Sequence, residues 1–250
     1  MPFLRSLLHM AWMLLTVIPV ALVLLAAAGL RFNGRRLYRI AVFWLGLAIS
    51  GARYILGIRY VVEGREHLPA PGQPAVLLVK HQSTYETFLM PVIMPSDLAY
   101  VFKRELLYVP FFGWAIGRLD MVHIDRKLKS QAFNRVVQQG RELLAKGIWV
   151  IMFPEGTRIP RGQAGHYKSG GARLAIETGV PVVPVAVNSA VCWPRKAFIK
   201  FPGTVNVSIG PMISSQGRQA DELMADVQAW IENEMHRLDP AAYEREAERP

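Results

Sequence analysis

The stretch AVLLVKHQSTYETF, Ala75–Phe88, changes character midway. Ala75–Lys80 is a short apolar run, entered from Pro74 and left through polar residues, and this is how a buried strand looks in sequence. Ser83-Thr-Tyr-Glu86 then has the spacing of a capping box, in which a serine caps a helix and the glutamate folds back onto a backbone N–H. A buried strand turning straight into a helix is the repeating step of an α/β fold. Such folds place their chemistry at the C-terminal ends of strands, where His81 stands. Glu86 falls in the first helical turn, within reach of an imidazole at His81 while the cap still forms. On this stretch alone both readings, cap and catalytic pair, stay open.

Working outward, the same alternation continues. Tyr60–Glu63 reads as the opening of a strand. Ser130–Lys146 carries Phe133, Val136, Val137, Leu143 and Leu144 near helical spacing and stops at Gly147, a natural C-cap. Ile148–Phe153 is a second buried strand, and Lys168–Thr178 a helix closed by Gly179. Val180–Val187 (VPVVPVAV) is a third strand whose prolines suggest an edge or an irregular position. Val205–Ile209 is a fourth. Asp221–Leu238 is an amphipathic helix with Leu223, Met224, Val227, Trp230, Ile231, Met235 and Leu238 on its inward stripe. Arg245–Pro250 reads as a frayed tail. The expected architecture is an α/β domain with a mixed sheet flanked by helices.

An anchor precedes it. Every residue from Ser6 to Leu30 is uncharged, and Met10–Leu30 is long enough to cross about 30 Å of hydrocarbon as a helix. A cleaved signal peptide is the competing interpretation, with Ala26-Ala27-Ala28 as the processing point. The apolar stretch is too long for that, its leading segment carries only Arg5, and Arg31, Arg35, Arg36 and Arg39 follow at once. Ile40–Ala52 is either the second arm of a helical hairpin or an interfacial helix. The expected division is residues 1–59 as an anchor of one or two hydrophobic helices and 60–250 as the α/β domain. The arginine cluster argues for a membrane protein, of the bacterial inner-membrane type, whose domain faces the cytoplasm. A lone cysteine, Cys192, fits a reducing compartment.

The net charge is +10 and the apolar fraction 52%. Residues 213–250 hold nine acidic and four basic side chains, so the positive excess lies in the part beside the membrane, where anionic lipid attracts it. Nucleic acid is not expected as a partner, because the chain has no zinc-finger spacing, RNP-like aromatic pattern or leucine-zipper heptads. No metal-ligand cluster is apparent either.

IWVIMFPEGTR, Ile148–Arg158, is the second informative stretch. Glu155, Gly156, Thr157 and Arg158 emerge together at a strand end: a carboxylate, a flexible backbone, a hydroxyl and a guanidinium able to grip phosphate in bidentate fashion. Taken alone, a tight turn with a solvated charge pair is the simpler reading.

HQSTYE, FPEGTR and VPVVPV, in this order behind a hydrophobic anchor, resemble the 1-acylglycerol-3-phosphate acyltransferase (lysophosphatidic acid acyltransferase, PlsC-like) family over about residues 60–215. The family's first motif is His, four residues, then Asp; His81 and Glu86 fill those places, the latter a departure that lengthens the arm but keeps the carboxylate. A Gly followed by Phe-Ile-x-Arg is matched by Gly117 and His123-Ile124-Asp125-Arg126, with histidine for phenylalanine and a longer interval. Phe153–Arg158 matches the third motif completely, and Val180–Val185 the fourth.

The resemblance implies a glycerolipid-acyltransferase-like domain that moves a fatty acyl group from acyl-CoA or acyl carrier protein to the sn-2 hydroxyl of lysophosphatidic acid, giving phosphatidic acid. Glycerol 3-phosphate, a lyso-ornithine lipid or another lysophospholipid is the alternative acceptor, and a non-catalytic lipid-binding protein the alternative class. His81 becomes the general base and Glu86 its partner, with no cofactor required. Arg126 and Arg158, with Gly156 and Thr157, are assigned to the acceptor phosphate. Glu155 would bond the glycerol or orient Arg158. Lys103, Arg104 and Lys168 are weaker cationic candidates, and His123 and His166 are packing or surface residues.

Overall fold

The structure is a computed structural model that describes residues 1–70, 72–124 and 129–247. Its strands are β1 (Ile58–Glu63), β2 (Val76–Val79), β3 (Leu98–Lys103), β4 (Val122–Ile124), β5 (Trp149–Met152), β6 (Val182–Val187) and β7 (Gly203–Ile209). They form one sheet in the order β1-β7-β6-β2-β5-β3-β4. Neighbours are parallel except β6 and β7, which run antiparallel, so the sheet is mixed.

Strand periodicity divides the core in two. Leu77 and Val79 join one cluster with Tyr85, Leu89, Met90 and Ile93 of helix α3 (Tyr85–Ile93). Val76 and Leu78 join another, with residues of α5 (Lys129–Ala145), α6 (Gly170–Thr178) and α7 (Ala220–Leu238). Buried on both faces, β2 is apolar throughout, as a central parallel strand must be. Each fully buried Val or Leu contributes about 1.5–3 kcal/mol.

The N-terminal segment is an antiparallel hairpin of α1 (Pro2–Gly29) and α2 (Gly34–Gly51). Trp12 Nε1 donates to Leu47 O at 2.9 Å, and Trp44 Nε1 to Thr16 Oγ1 at 3.2 Å. Both helices are long and apolar enough to cross a membrane, α2 counted with the short π-helical turn Ala52–Leu56 that follows it. At the end of the hairpin Ile49, Ala52 and Leu56 pack in the same core cluster as β2 and α3, and β1 begins at Ile58.

Several expectations need revision. β6 is not an edge strand, for β7 and β2 flank it. Its proline is accommodated where the β6–β7 ladder breaks: Pro184 O accepts from Gly210 N–H at 2.9 Å, and the next pairing on that side is the isolated Val182–Ile213 bridge. β3, β4, the short α4 (Phe112–Ile116) and α8 (Pro240–Ala247) were not foreseen. Because α8 runs to Ala247, the expected frayed tail begins inside a helix, and residues 248–250 lie outside the described ones. Gly147 and Gly179 both follow their helices with positive φ, as expected of C-capping glycines.

Candidate active site

The chain leaves β2 through α3 toward β3 and leaves β5 through α6 toward β6, in opposite directions along the sheet. A crevice opens where the connections diverge, outside the C-terminal ends of adjacent strands. His81 and the FPEGTR turn are carried on those two ends.

The His81 ring stacks on Phe153, with centroids 3.9 Å apart and planes 15° from parallel. Its Nδ1 lies 2.9 Å from Glu86 Oε1. The same oxygen accepts from the backbone N–H groups of Gln82 (2.9 Å) and Ser83 (2.6 Å), while Oε2 accepts from Ser189 Oγ at 2.6 Å. The helix cap and the partner of the imidazole are therefore one carboxylate. The capping detail differs from expectation: the helix begins at Tyr85, whose N–H bonds Ser83 Oγ at 3.1 Å. An ionised carboxylate only accepts, so Nδ1 carries the imidazole proton and Nε2 is left as the free base. Glu86 is fully buried and His81 only partly, which leaves the imidazole the accessible member of the pair.

In the turn after β5, Gly156 adopts φ +65°, where a side chain would be strained, and its N–H bonds Phe153 O at 2.9 Å. That N–H is thus committed to the turn. Glu155 faces neither Arg158 nor the crevice. Its Oε2 accepts from the backbone N–H of His81 at 3.0 Å, and its Oε1 pairs with Lys80 Nζ at 3.1 Å. Burial pushes its carboxyl up to about 7, against the pull of the Lys80 ammonium. Arg158 lines the crevice, and its Nε is buried with no hydrogen-bond partner among the described residues.

A cavity of about 720 Å³ runs from His81, Phe153, Gly156, Thr157 and Arg158 to the membrane hairpin, where Val17, Leu24, Trp44 and Leu45 form apolar wall. Lys103 and Lys168 also line it, as do Arg195 and Lys196, two cations the sequence reading did not single out. Arg126 lies outside the described residues. Arg104 is not part of the wall, and His123 and His166 are exposed. Ser189, Phe153 and Lys80 were also missed as site residues. Phe153 opens the FPEGTR motif and Lys80 is the last residue of the apolar run that His81 follows, whereas Ser189 carried no sequence signal. Cys192 is buried in the core, where burial pushes its thiol up to about 11.

An imidazole–carboxylate pair with its free nitrogen at a cavity joining cations to an apolar wall is suited to proton abstraction from an amphipathic alcohol. Comparison with known proteins gives the family. Residues 59–188 match the acyltransferase family model, and the chain belongs to that family. It is 45% identical over 210 residues to a 1-acyl-sn-glycerol-3-phosphate acyltransferase of Pseudomonas aeruginosa, covering 82% of this chain and 80% of the relative. It is 33% identical over 183 residues to the alpha form of that enzyme from Mus musculus, covering 72% of this chain and 64% of the mouse protein. Among solved structures, the crystal structure of the 1-acyl-sn-glycerophosphate (LPA) acyltransferase PlsC from Thermotoga maritima superposes with a TM-score of 0.78 at 23% identity, covering 96% of this chain and 98% of that one, a likeness of fold.

Proposed function

We propose that the protein acylates the free hydroxyl of 1-acylglycerol 3-phosphate from a thioester donor, giving phosphatidic acid. The observation that carries this reading is the His81–Glu86 pair, 2.9 Å apart, opening onto a cavity that joins basic side chains to the apolar wall of a membrane hairpin.

His81 Nε2 takes the proton of the acceptor hydroxyl as its oxygen attacks the thioester carbonyl, and Glu86 steadies the imidazolium that forms. Collapse of the tetrahedral intermediate breaks the C–S bond, and the leaving sulfur recovers the proton from His81. Imidazole is the side chain suited to accept and return a proton near neutrality. No acyl-enzyme is required. Arg158, with Lys168 on the wall of the same cavity and Thr157 at the turn, holds the acceptor phosphate; Lys103, Arg195 and Lys196 supply further positive field. The acyl chain lies along the hairpin. Acyl-CoA and acyl carrier protein both suit a basic surface as donors. The hairpin holds the enzyme at the membrane where its lipids reside, and Arg31, Arg35, Arg36 and Arg39 set the domain on the cytoplasmic side.

The test is acyl transfer from labelled oleoyl-CoA, and separately from oleoyl acyl carrier protein, to lysophosphatidic acid and to glycerol 3-phosphate. Wild type should form phosphatidic acid from lysophosphatidic acid, and His81→Ala should lose about 10²–10⁴-fold of that rate while keeping its melting temperature. Near wild-type turnover by His81→Ala would remove it as the base. Product from glycerol 3-phosphate alone would move the acceptor.

A further inference from the structure

The residue before the base is a fully buried lysine, which the proposed reaction does not use. Strand alternation puts Lys80 and His81 on opposite faces of the sheet. His81 faces the cavity beside α3, whereas Lys80 points beneath α7, where Nζ meets Glu232 Oε1 at 2.6 Å, Glu155 Oε1 at 3.1 Å and Gln163 O at 3.1 Å. Tyr167 also donates to Glu232 Oε1, at 2.7 Å. One ammonium is therefore held by two carboxylates and a carbonyl.

The connection to the base is Glu155, at the end of the neighbouring strand, and it is made by one side chain: while Glu155 Oε1 pairs with Lys80, its Oε2 holds the backbone N–H of His81 at 3.0 Å. A further bond secures the other side of the same residue, since Ile159 N–H donates to His81 O at 2.8 Å. The His81 backbone is thus tied on both sides to the segment that follows β5, and the tie through Glu155 is anchored to α7 by Lys80 and Glu232. We propose that Lys80 is a positioning residue for the base: clamped by Glu232 of α7, it fixes Glu155, and Glu155 fixes the His81 peptide so that the imidazole stays stacked on Phe153 and aimed into the cavity. The inference rests on His81 being the base. It gives a role to α7, which lies beyond the residues 59–188 matched by the family model.

A buried ion cluster also has a purely structural interpretation, in which it satisfies its own charges and nothing more. The two differ in what restoring charge balance achieves. Lys80→Met removes the ammonium and leaves two carboxylates facing each other under α7, so it should lower the melting temperature and kcat together. Lys80→Met combined with Glu232→Gln removes one charge of each sign. If the network positions the base, this double variant should regain most of the melting temperature while kcat stays about 10–100-fold down, the scale that misplacement of a reacting group by about 1 Å produces, with the acceptor KM within about twofold of wild type. Val227→Ala, which loosens the same helix without touching charge, should lower the melting temperature and leave kcat near wild type. Assays run at pH 8.5. Recovery of kcat along with melting temperature in the double variant would overturn the proposal, as would an equal loss of kcat in Val227→Ala at matched stability. His81→Ala in the same assay separates the two levels: if it turns over normally, the base assignment has failed, whatever the Lys80 variants do.

Discussion

Replacing Glu86 by glutamine separates the two duties of one carboxylate. The amide oxygen can still accept from the N–H groups of Gln82 and Ser83 and from His81 Nδ1, and the new NH₂ can donate to Ser189 Oγ, because a hydroxyl accepts as well as donates. The cap therefore survives, and only the charge is lost. With Nδ1 and Oε1 2.9 Å apart, the imidazolium of the transition state sits beside a full negative charge. At a charge separation of about 4 Å and an effective dielectric of about 20, that attraction is on the order of 4 kcal/mol, or about 10³-fold in rate. Glu86→Gln should thus lower kcat about 10³-fold in the acyl-transfer assay, with a melting temperature within a few degrees of wild type. Glu86→Ala should also strand two backbone donors at about 1–3 kcal/mol each and lower the melting temperature by on the order of 10 °C. A Glu86→Gln enzyme within tenfold of wild type would refute the electrostatic argument and leave Glu86 as a helix cap alone.

Arg158→Ala should raise the KM for lysophosphatidic acid about 10–100-fold, the range lost with a hydrogen bond to a charged group, and leave kcat largely intact; an unchanged KM removes Arg158 from the phosphate site. Glu155 sets a pH dependence of stability. Its carboxyl is raised from the ordinary 4.5 to about 7 chiefly by burial, so the folded chain holds that proton more tightly than the unfolded one. The resulting stabilisation is fully present below pH 4.5 and disappears as pH rises through about 7, an amplitude on the order of 3 kcal/mol. Thermal unfolding followed from pH 5 to 8 should show this decline in wild type and lose it in Glu155→Gln; parallel profiles would contradict the assignment.

What could be read without coordinates was local. The buried strand, the cap and the turn after β5 depend on the chemistry of a few successive residues, so His81, Glu86 and Arg158 stood out at strand ends and helix starts before any packing was known. The resemblance to known acyltransferases drew on the same short motifs. The sheet order was not legible, because β5 enters between β2 and β3 only through pairings distant in sequence. Ser189, 103 residues from the carboxylate it bonds, gave no sign of its part, and neither did Glu232, 152 residues from Lys80. Nor did composition show that the hydrophobic hairpin, which reads as a detachable anchor, shares a core cluster with β2 and walls the cavity.

The sequence by itself determined that this is a basic, membrane-adjacent α/β acyltransferase with an imidazole and a carboxylate five residues apart. Periodicity, capping and charge act over a few residues and leave their mark in the order of the letters. Only the tertiary structure decided that Glu86 is cap and partner at once, that Glu155 turns to the back of His81, and that Lys80 lies on the opposite face of the sheet. Those outcomes depend on which distant segments fill the low-dielectric space around each charge, and that is set when the chain packs.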